Sequence, residues 1–385
     1  MLTYRSIVLA VSICFSMTWG VQDLAFAAES CGVPSTLSDH WPTAPAVEEG
    51  FDSAALCALV DLMSDRASVL SGIHGVLVAR RGKLVFETYR TGFDHPWGKP
   101  AGTYAYDAAT PHDVRSIAKS VVSLLIGVAV DRHLIRSLDD AVFDYLPQYR
   151  DLRTTEKAKI TIRTLLSMTS GLVTNEDTSY ADPDNTERLM AEAADPYRWV
   201  LERKVLHEPG THWAYSSGNT MLLSAVLQTV TAMTLDAFAR EALFEPMGIS
   251  SAEWIRLRRS GEFAAYGGLR MRPRDVATLG QFLLDHGKWD GKQIVSKEWM
   301  AESTRLPADR SLTDRYALLW WKGRSKRAGN TEVAWTAAYG IGGQRLYAVP
   351  DLDLIVVIMA GLYDHPQQDE IVRSVLEDYI LASLK

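Results

Sequence analysis

An apolar run from Val121 to Val130 follows directly on a polar segment that contains Ser116 and Lys119. A helix that is apolar on nearly every side has to be buried, so this stretch predicts a central helix against which the rest of the chain packs. If that helix begins at or just before Ser116, the three-residue spacing puts Ser116 and Lys119 on one face of its first turn.

Ser116 and Lys119 together have the parts of an acyl-transfer site. A serine hydroxyl is a poor nucleophile at neutral pH unless a base beside it takes its proton, and a lysine is such a base when burial or positive neighbours lower its pKa. The N-terminus of a helix adds backbone N–H groups and a positive dipole end, which favour developing negative charge. The alternative is an exposed lysine on the rim of an ordinary helix.

Composition excludes several classes of function. The chain has 385 residues, 47% hydrophobic and 23% charged, with a formal net charge of −7 and no long basic run, which argues against nucleic acid as a partner. No stretch supplies 18 consecutive apolar residues, so stable membrane insertion is not expected. The sequence leaves the oligomeric state open.

The first 27 residues have the pattern of a cleavable signal peptide. Arg5 gives a positive start, Ile7 to Met17 form an apolar core, and Ala25-Phe26-Ala27 is a cleavage site of the A-x-A kind. A short buried N-terminal strand or helix is the alternative. We therefore expect a secreted or periplasmic protein, in which residues 28–48 form an extended arm before the main domain at 49–385.

Two cysteines, Cys31 and Cys57, remain after the signal peptide is removed. Two is the number that one bridge needs in an oxidising compartment, so a Cys31–Cys57 disulfide between the arm and the first helix is expected. The alternative is a small buried Cys57 and a free Cys31. No Cys/His spacing resembles a zinc site and the nine histidines are scattered, so neither a metal nor an organic cofactor is predicted.

Strand patterns lie at both ends of the chain and helical patterns lie between them. We predict a helix from Asp52 or Ser53 to Ser64, a hairpin at 75–89, a long helical part, and strands at 316–321, 332–335, 344–349 and 352–359. The fold class is therefore α+β, an antiparallel sheet part at about 49–115 and 250–385 with an inserted helical part at about 116–249. Residues 173–195 are polar and acidic and are expected to form a surface loop or lid.

Two further segments supply what a Ser–Lys site needs, a second proton handler and a second oxyanion donor. The first is Tyr215-Ser216-Ser217-Gly218-Asn219, a turn before a helix, where a phenol and short polar groups project into a cleft. The second is Ala338-Tyr339-Gly340-Ile341-Gly342-Gly343-Gln344, whose glycines allow close approach to a substrate. The alternatives are an aromatic anchor for the turn and a plain Gly-rich turn. We expect substrate contacts from Ser217, Asn219, Tyr339, Gly340 and Gly342.

The order of these three segments resembles the serine β-lactamase/penicillin-binding superfamily. The match is to its class C-like branch of esterases, D-amino-acid peptidases and 6-aminohexanoate-dimer hydrolases, and it extends from about residue 50 to the end. The resemblance implies an antiparallel sheet with flanking helices, an all-helical domain, and an active site between them.

Carried over to this sequence, the resemblance implies an acylated Ser116 activated by Lys119. Tyr215 exchanges protons with these two residues and with the leaving group, and the backbone N–H groups of Ser116 and Ile341 form the oxyanion hole. The implied activity is a serine hydrolase of the carboxylesterase or amidase type, working through an acyl-enzyme.

Two departures from the superfamily pattern bear on the substrate. Ala338 stands where β-lactamases and transpeptidases carry the cation of Lys-Thr-Gly or His-Thr-Gly, and Ser217 replaces the amide of Tyr-x-Asn. Both disfavour β-lactams and D-Ala peptides and favour a small ester or amide without a carboxylate anchor, although Arg345 is a possible substitute cation. A β-lactamase or DD-peptidase is one alternative, and a non-catalytic sensor or scaffold of the same fold is another.

Overall fold

The computed structural model describes residues 31–39, 41–309, 313, 315–327, 331–363 and 365–385. Its strands are β1 (Ile73–Arg80), β2 (Lys83–Tyr89), β3 (Gly92–Asp94), β4 (Gly102–Tyr104), β5 (His112–Asp113), β6 (Glu253–Trp254), β7 (Leu269–Met271), β8 (Lys288–Trp289), β9 (Lys292–Gln293), β10 (Trp321–Arg327), β11 (Thr331–Gly340), β12 (Gln344–Val349) and β13 (Leu354–Ala360). Its α-helices are α1 (Ser53–Ser64), α2 (Ile117–Asp131), α3 (Val142–Tyr145), α4 (Ile162–Leu166), α5 (Thr186–Ala191), α6 (Pro196–Glu202), α7 (Ser217–Thr231), α8 (Leu235–Ala239), α9 (Pro273–Leu284), α10 (Lys297–Ser303) and α11 (Gln368–Ser374).

Six strands form one antiparallel sheet in the order β10-β11-β12-β13-β1-β2. Two adjacent interior strands, β13 and β1, come from opposite ends of the chain, and every residue in both is buried. A strand covered on both faces has to be apolar without alternation, which accounts for the continuous run Leu354–Ala360. The sheet therefore brings the two ends of the chain into one layer.

The sheet separates two apolar cores. Along β1, Val76 and Val78 face one core with α1 and the C-terminal helix, whereas Leu77 and Ala79 face the other with α2, α7 and α9. This alternation fixes the strand register, because a slip of one residue would exchange the two faces. The larger core continues from the sheet into the helical part, so the boundary between the two parts is packed.

Helix α2 is the centre of the larger core, as its apolar sequence predicts. Residues Ile117 to Ala129 are all buried, and the hydroxyls of Ser120 and Ser123 donate to the carbonyls of Leu319 and Leu318. These bonds satisfy the polar groups that interrupt the apolar run. In the described part of the chain no single helix is long and apolar enough to span a bilayer. One pair of helices with a bend between them, Ser217–Thr231 and Leu235–Met247, is long and apolar enough when the two are counted together.

The fold class predicted from the sequence is confirmed, and one predicted strand is wrong. Residues 316–321 do not form a strand: Leu319 has φ +65° and the strand begins at Trp321, because the carbonyls of 318 and 319 turn inward and accept hydrogen bonds from the serines of α2. Helix α4 ends at Leu166 and is followed by an irregular segment in which Met168 has φ +59°.

The N-terminal arm is attached to the main domain by a disulfide between Cys31 and Cys57, whose Cα atoms are 5.5 Å apart. This is the pair that the cysteine count singled out. Asp39 in the arm also accepts hydrogen bonds from the buried Arg274. The predicted signal peptide, and the first residues of the arm at 28–30, lie outside the described residues.

Gly171 allows two loops of the helical part to approach each other. It has φ +74°, and a Cβ placed on it would lie 2.0 Å from the carbonyl oxygen of His207. Its own carbonyl accepts the N–H of Leu206. A side chain at this position would therefore meet both backbone strain and a fixed backbone oxygen.

We expect Gly171→Ala to destabilise the fold more than Gly210→Ala. Gly210 has a similar positive φ of +91°, but a Cβ there meets nothing within 4 Å. The matched control should lose about 1 kcal/mol from left-handed strain alone, and Gly171→Ala about 2–4 kcal/mol because the backbone also has to move. Urea unfolding of both variants measures the difference; equal losses would mean that the contact with His207 relaxes freely.

Candidate active site

The nucleophile candidate Ser116 immediately precedes α2 and is positioned by a strained residue. Arg115 has φ +52°, an unfavourable conformation for a non-glycine residue. Its guanidinium donates to the hydroxyl of Tyr363 and to the carbonyl of His95, and it lies 3.6 Å from the carboxylate of Asp113. These contacts hold the turn, so the direction of the Ser116 side chain is determined by tertiary structure.

Strand β11 ends against the same turn. A Cβ at Gly340 would lie 2.4 Å from the carbonyl oxygen of Val114 and 2.9 Å from Cβ of Arg115. Only glycine permits this approach, and the approach brings the next residue, Ile341, to the cleft beside Ser116. The close approach that Gly340 permits here is to the backbone before Ser116, whereas the sequence predicted that the glycines of this segment admit a substrate.

Lys119 lies one turn after Ser116, almost fully buried, and its amine has three oxygen partners. Nζ is 3.0 Å from Ser116 Oγ, 3.2 Å from Ser217 Oγ and 2.9 Å from the carbonyl oxygen of Tyr266. A buried amine without partners would be costly, so these three contacts determine where it sits. They join α2, the start of α7 and the loop before β7 at one atom.

The hydrogen atoms at these contacts can be assigned from donor and acceptor chemistry. The carbonyl of Tyr266 only accepts, so it takes one N–H of Lys119. The hydroxyl of Ser217 donates to the carboxylate of Glu187 at 2.6 Å, so its oxygen takes a second N–H. In a neutral amine, the one position left faces Ser116 Oγ and carries the lone pair, as a general base requires.

Tyr215 is placed beside this lysine. Its ring centroid is 4.8 Å from Lys119 Nζ, and the ring of Tyr266 lies on another side at 5.6 Å. An ammonium formed at Lys119 is attracted to the faces of both rings. The structure therefore brings together Ser116, Lys119 and Tyr215, although nearly 100 residues separate the last two.

A cleft of about 1050 Å³ opens in front of Ser116. Tyr215, Tyr339, Gly340 and Ile341 line it, as do several residues of the acidic segment 173–195. That segment was expected to be a surface loop or lid, and its contribution to the lining is established by Glu176, Tyr180 and Glu187, among others.

One wall of the cleft is aromatic. Trp321 stacks on Tyr215 with centroids 6.2 Å apart and on Tyr339 with centroids 5.3 Å apart. The adjacent Trp320 is buried in the core. Of these two adjacent tryptophans, Trp321 lines the cleft and Trp320 belongs to the core.

Three residues predicted to touch the substrate do not reach the cleft. Asn219 is fully buried, and its amide is used by Ser170 Oγ at 2.8 Å and Met168 Sδ at 3.6 Å. Ser217 is also fully buried and contacts Lys119. Gly342 is buried, and its N–H donates to Gln368. The turn predicted at 215–219 is shorter than expected, because α7 already begins at Ser217 and so includes both Ser217 and Asn219. Neighbouring elements bind the polar groups of all three residues.

Two glutamates of the acidic segment, Glu176 and Glu187, form a pair beside the site and were not singled out from the sequence. Both carboxylate oxygens of Glu176 accept the N–H of Ser217, at 2.8 and 2.9 Å, at the N-terminus of α7. Glu187 accepts from Ser217 Oγ and from the hydroxyl of Tyr180 at 2.7 Å. Both line the cleft. In the sequence they are two among many acids, and only their convergence distinguishes them.

Burial, together with the negative charge of Glu187, raises the pKa of Glu176 to about 7. Lys119 and the hydrogen bonds from Ser217 act in the opposite direction without cancelling the rise. Near neutral pH the glutamate pair therefore exchanges a proton with solvent within reach of the cleft.

Arg345, the cation suggested as a replacement for the missing lysine at 338, lines the cleft, but its guanidinium is already bound by other groups of the protein. It is 3% exposed, donates to the carbonyls of Gly340 and Gln344 and to the carboxylate of Asp369, and stacks on Tyr339. Lys322 on β10 also lines the cleft, with Nζ 2.7 Å from Thr336 Oγ1. Among the described residues no carboxylate forms an ion pair with it, and burial lowers its pKa.

We expect the free energy of unfolding to respond to Glu176 between about pH 4.5 and 7. A carboxyl whose pKa rises on folding binds more protons in the folded state across this window, so stability falls as pH rises through it. Glu176→Gln removes this dependence, and the stability of wild type relative to the variant should decrease from pH 5 to about pH 8. Urea unfolding at several pH values measures this. Glu298→Gln, on exposed α10, is the control and should give a constant difference.

Comparison with known proteins agrees with the fold described above. The family model described as Beta-lactamase matches residues 65–374. The 6-aminohexanoate-dimer hydrolase of Paenarthrobacter ureafaciens is 24% identical over 310 residues, 75% of this chain and 72% of that protein. The D-aminopeptidase of Brucella anthropi is 29% identical over 213 residues, 53% of this chain and only 36% of that protein.

A solved structure, that of EstCE1, described as a hydrolase with promiscuous acyltransferase activity, superposes with a TM-score of 0.61 at 17% identity. The match covers 84% of this chain and 98% of EstCE1, and at this identity it speaks for the fold alone. Because the family model spans most of the chain and its relatives are hydrolases, the chain belongs to the beta-lactamase family and is a serine hydrolase of the serine β-lactamase/penicillin-binding superfamily.

Proposed function

We propose that this hydrolase cleaves a small amide or ester through an acyl-enzyme on Ser116, with Lys119 as base and Tyr215 as proton shuttle. The observation that carries the proposal is the hydrogen-bond arrangement at Lys119, which leaves one amine position facing Ser116 Oγ. The alternative was an exposed lysine on the rim of an ordinary helix. Such a lysine would be solvated, and two of the three hydrogen-bonding positions of its amine would not be occupied by buried acceptors.

In the acylation step, Ser116 Oγ attacks the substrate carbonyl carbon while its proton moves to Lys119 Nζ. The carbonyl oxygen becomes an oxyanion, which accepts hydrogen bonds from the backbone N–H groups of Ser116 and Ile341. When the carbon–heteroatom bond breaks, the proton passes from the Lys119 ammonium through the Tyr215 hydroxyl to the leaving group. An ester of Ser116 remains.

Deacylation repeats these steps with water as the nucleophile. The water oxygen attacks the carbonyl carbon of the ester while one of its protons moves to Lys119. The bond from the carbonyl carbon to Ser116 Oγ then breaks, Ser116 takes up a proton, and the acid product leaves.

Charges in the cleft support a substrate that carries an ammonium group. The glutamate pair faces the cleft with Lys119 as its nearby cation, so a second cation is favoured there. Lys322, with no carboxylate partner among the described residues, lies on the β10 side of the same cleft and suits a carboxylate. The relatives named 6-aminohexanoate-dimer hydrolase and D-aminopeptidase have names that describe amide substrates of this kind.

We expect Ser116→Ala and Lys119→Met each to reduce turnover of a short-chain p-nitrophenyl ester by at least about a thousandfold, because nucleophile and base act as one unit. Tyr215→Phe should cost about 10²–10⁴-fold, the range of a proton-transfer group. Steady-state kinetics and mass spectrometry of the Ser116 adduct are the measurements.

The matched control is Ser120→Ala, a serine one turn further along α2 whose hydroxyl is used by Leu319. It should retain ester turnover and Ser116 labelling. Rapid hydrolysis of a chromogenic cephalosporin would favour the β-lactamase alternative. Absence of turnover and of covalent labelling with both probes would favour the non-catalytic scaffold.

Glu187→Gln should change the preference between charged and neutral substrates. With two p-nitroanilides that differ only in an ammonium on the acyl group, we expect the ratio of kcat/KM values, charged over neutral, to fall about tenfold, the effect of one charge-assisted hydrogen bond. Taking the ratio removes any shared effect on the Ser116 chemistry. Glu298→Gln, which removes the same charge outside the cleft, should leave the ratio unchanged; an unchanged ratio in Glu187→Gln would refute ammonium recognition.

A further inference from the structure

Three strands of three different sheets meet behind the segment that leads to Ser116. They place His74 of β1, Asp94 at the end of β3 and His112 of β5 in one cluster, each 1% exposed or less. Nothing in the hydrolysis steps above uses these residues. The question is why two imidazoles and a carboxylate converge in a buried site.

The outer nitrogen of each imidazole is committed as a donor. His74 Nε2 is 3.0 Å from the carbonyl oxygen of Phe93, and His112 Nδ1 is 3.1 Å from the carbonyl oxygen of Asp113. A carbonyl oxygen only accepts, so both of these nitrogens carry their hydrogen. In neutral imidazoles the inner nitrogens, His74 Nδ1 and His112 Nε2, then both present lone pairs.

These two inner nitrogens are only 3.0 Å apart. Two lone pairs at that distance repel each other unless a cation lies between them. The carboxylate oxygen Asp94 Oδ2 completes the group, 3.4 Å from His112 Nε2 and 3.9 Å from His74 Nδ1. The cluster is therefore a set of three electron-pair donors that point at a common centre and lack a shared acceptor.

The spacing of the three atoms suits a metal ion. Bonds of about 2.0–2.1 Å in a tetrahedral site place ligand atoms about 3.3 Å from one another. The observed separations of 3.0, 3.4 and 3.9 Å lie around that value. Two imidazoles favour a transition-type cation over magnesium or calcium, which prefer oxygen ligands.

The surroundings hold the donors in this orientation. The backbone carbonyls on the outer ring nitrogens are the kind of support that metal-binding histidines have. A Cβ at Gly92 would lie 2.3 Å from the His74 ring and one at Gly361 would lie 2.6 Å from it, so two glycines make room for that imidazole. The ring of Tyr106 lies over both histidines, and its hydroxyl hydrogen-bonds to Asp94 Oδ2.

We propose that His74, Asp94 and His112 form a structural binding site for a zinc-type divalent cation. Two ring nitrogens and one carboxylate oxygen are its ligands, and the Tyr106 hydroxyl or a water is the fourth. The ion would join β1, β3 and β5 just before Asp113 and Arg115, and so stabilise the turn that presents Ser116. It takes no part in bond cleavage.

The test uses the full-length mature chain without an affinity tag, unfolded and refolded with Zn²⁺ and then dialysed. We expect about one zinc per chain by elemental analysis, a higher melting temperature than in the chelator-treated protein, and a tetrahedral Co²⁺ absorption spectrum after cobalt loading. His112→Asn and Asp94→Asn should each lose the bound zinc and the zinc-dependent rise in melting temperature.

The control is the double variant His207→Gln with His212→Gln. These two exposed histidines stack with centroids 4.0 Å apart and are the place where surface binding would occur. If zinc is lost in this control but retained in His112→Asn, the proposal is wrong. If the His112→Asn and Asp94→Asn variants fail to fold, the cobalt spectrum of the wild-type protein tests the proposal by itself. A wild-type chain that binds no zinc or cobalt after refolding would overturn the proposal and would show that a shared proton bridges the two histidines.

Discussion

The amine of Lys119 is the point on which the active site depends. It lies in the interior, where an amine without hydrogen-bond partners is strongly disfavoured, and its oxygen partners come from three separate regions of the chain. The start of α2 supplies Ser116, the start of α7 supplies Ser217, and the loop before β7 supplies the carbonyl of Tyr266. Any rearrangement of one region leaves a buried amine position unsatisfied, so the three regions are held in one geometry.

Around that amine, Ser116 is positioned by contacts that no single element provides. Arg115 adopts a left-handed backbone conformation because Tyr363, His95 and Asp113 bind its side chain, and β11 can come close because residue 340 has no Cβ. The strain at Arg115 and the close approach of Gly340 both occur in the turn that precedes Ser116. The orientation of the Ser116 side chain therefore depends on three separate parts of the chain.

The cleft has opposite charges on two sides. The glutamate pair lies at the end next to Lys119, and Lys322 lies on the β10 side, while the guanidinium of Arg345 is bound by Asp369 and by backbone carbonyls. The residue at 338 is a buried alanine. In the proposed function, charge is therefore recognised by the acidic segment and the edge strand β10, and not by the end of β11.

Some parts of the fold and of the candidate site could be predicted from the sequence, and others could not. The apolar run after Ser116, the alternation in β1 and β2 and the order of the three site segments are local patterns, and they correctly predicted the buried α2, the α+β class and the superfamily. Ser116, Lys119 and Tyr215 were singled out because short motifs show their chemistry.

Whether a polar group is free to face the cleft is not a local property. The amide of Asn219 and the N–H of Gly342 are bound by Ser170 and Gln368, and Leu319 leaves the strand conformation so that its carbonyl can accept from a serine of α2. The two glutamates come from one acidic segment and the His–Asp–His cluster from three strands, and neither set has a spacing that identifies it. The sequence by itself determined the fold class, most of the helices and strands and the candidates Ser116, Lys119 and Tyr215, because propensity and periodicity act over a few residues. Only the tertiary structure decided which groups meet, because that depends on packing between elements that are distant in the chain.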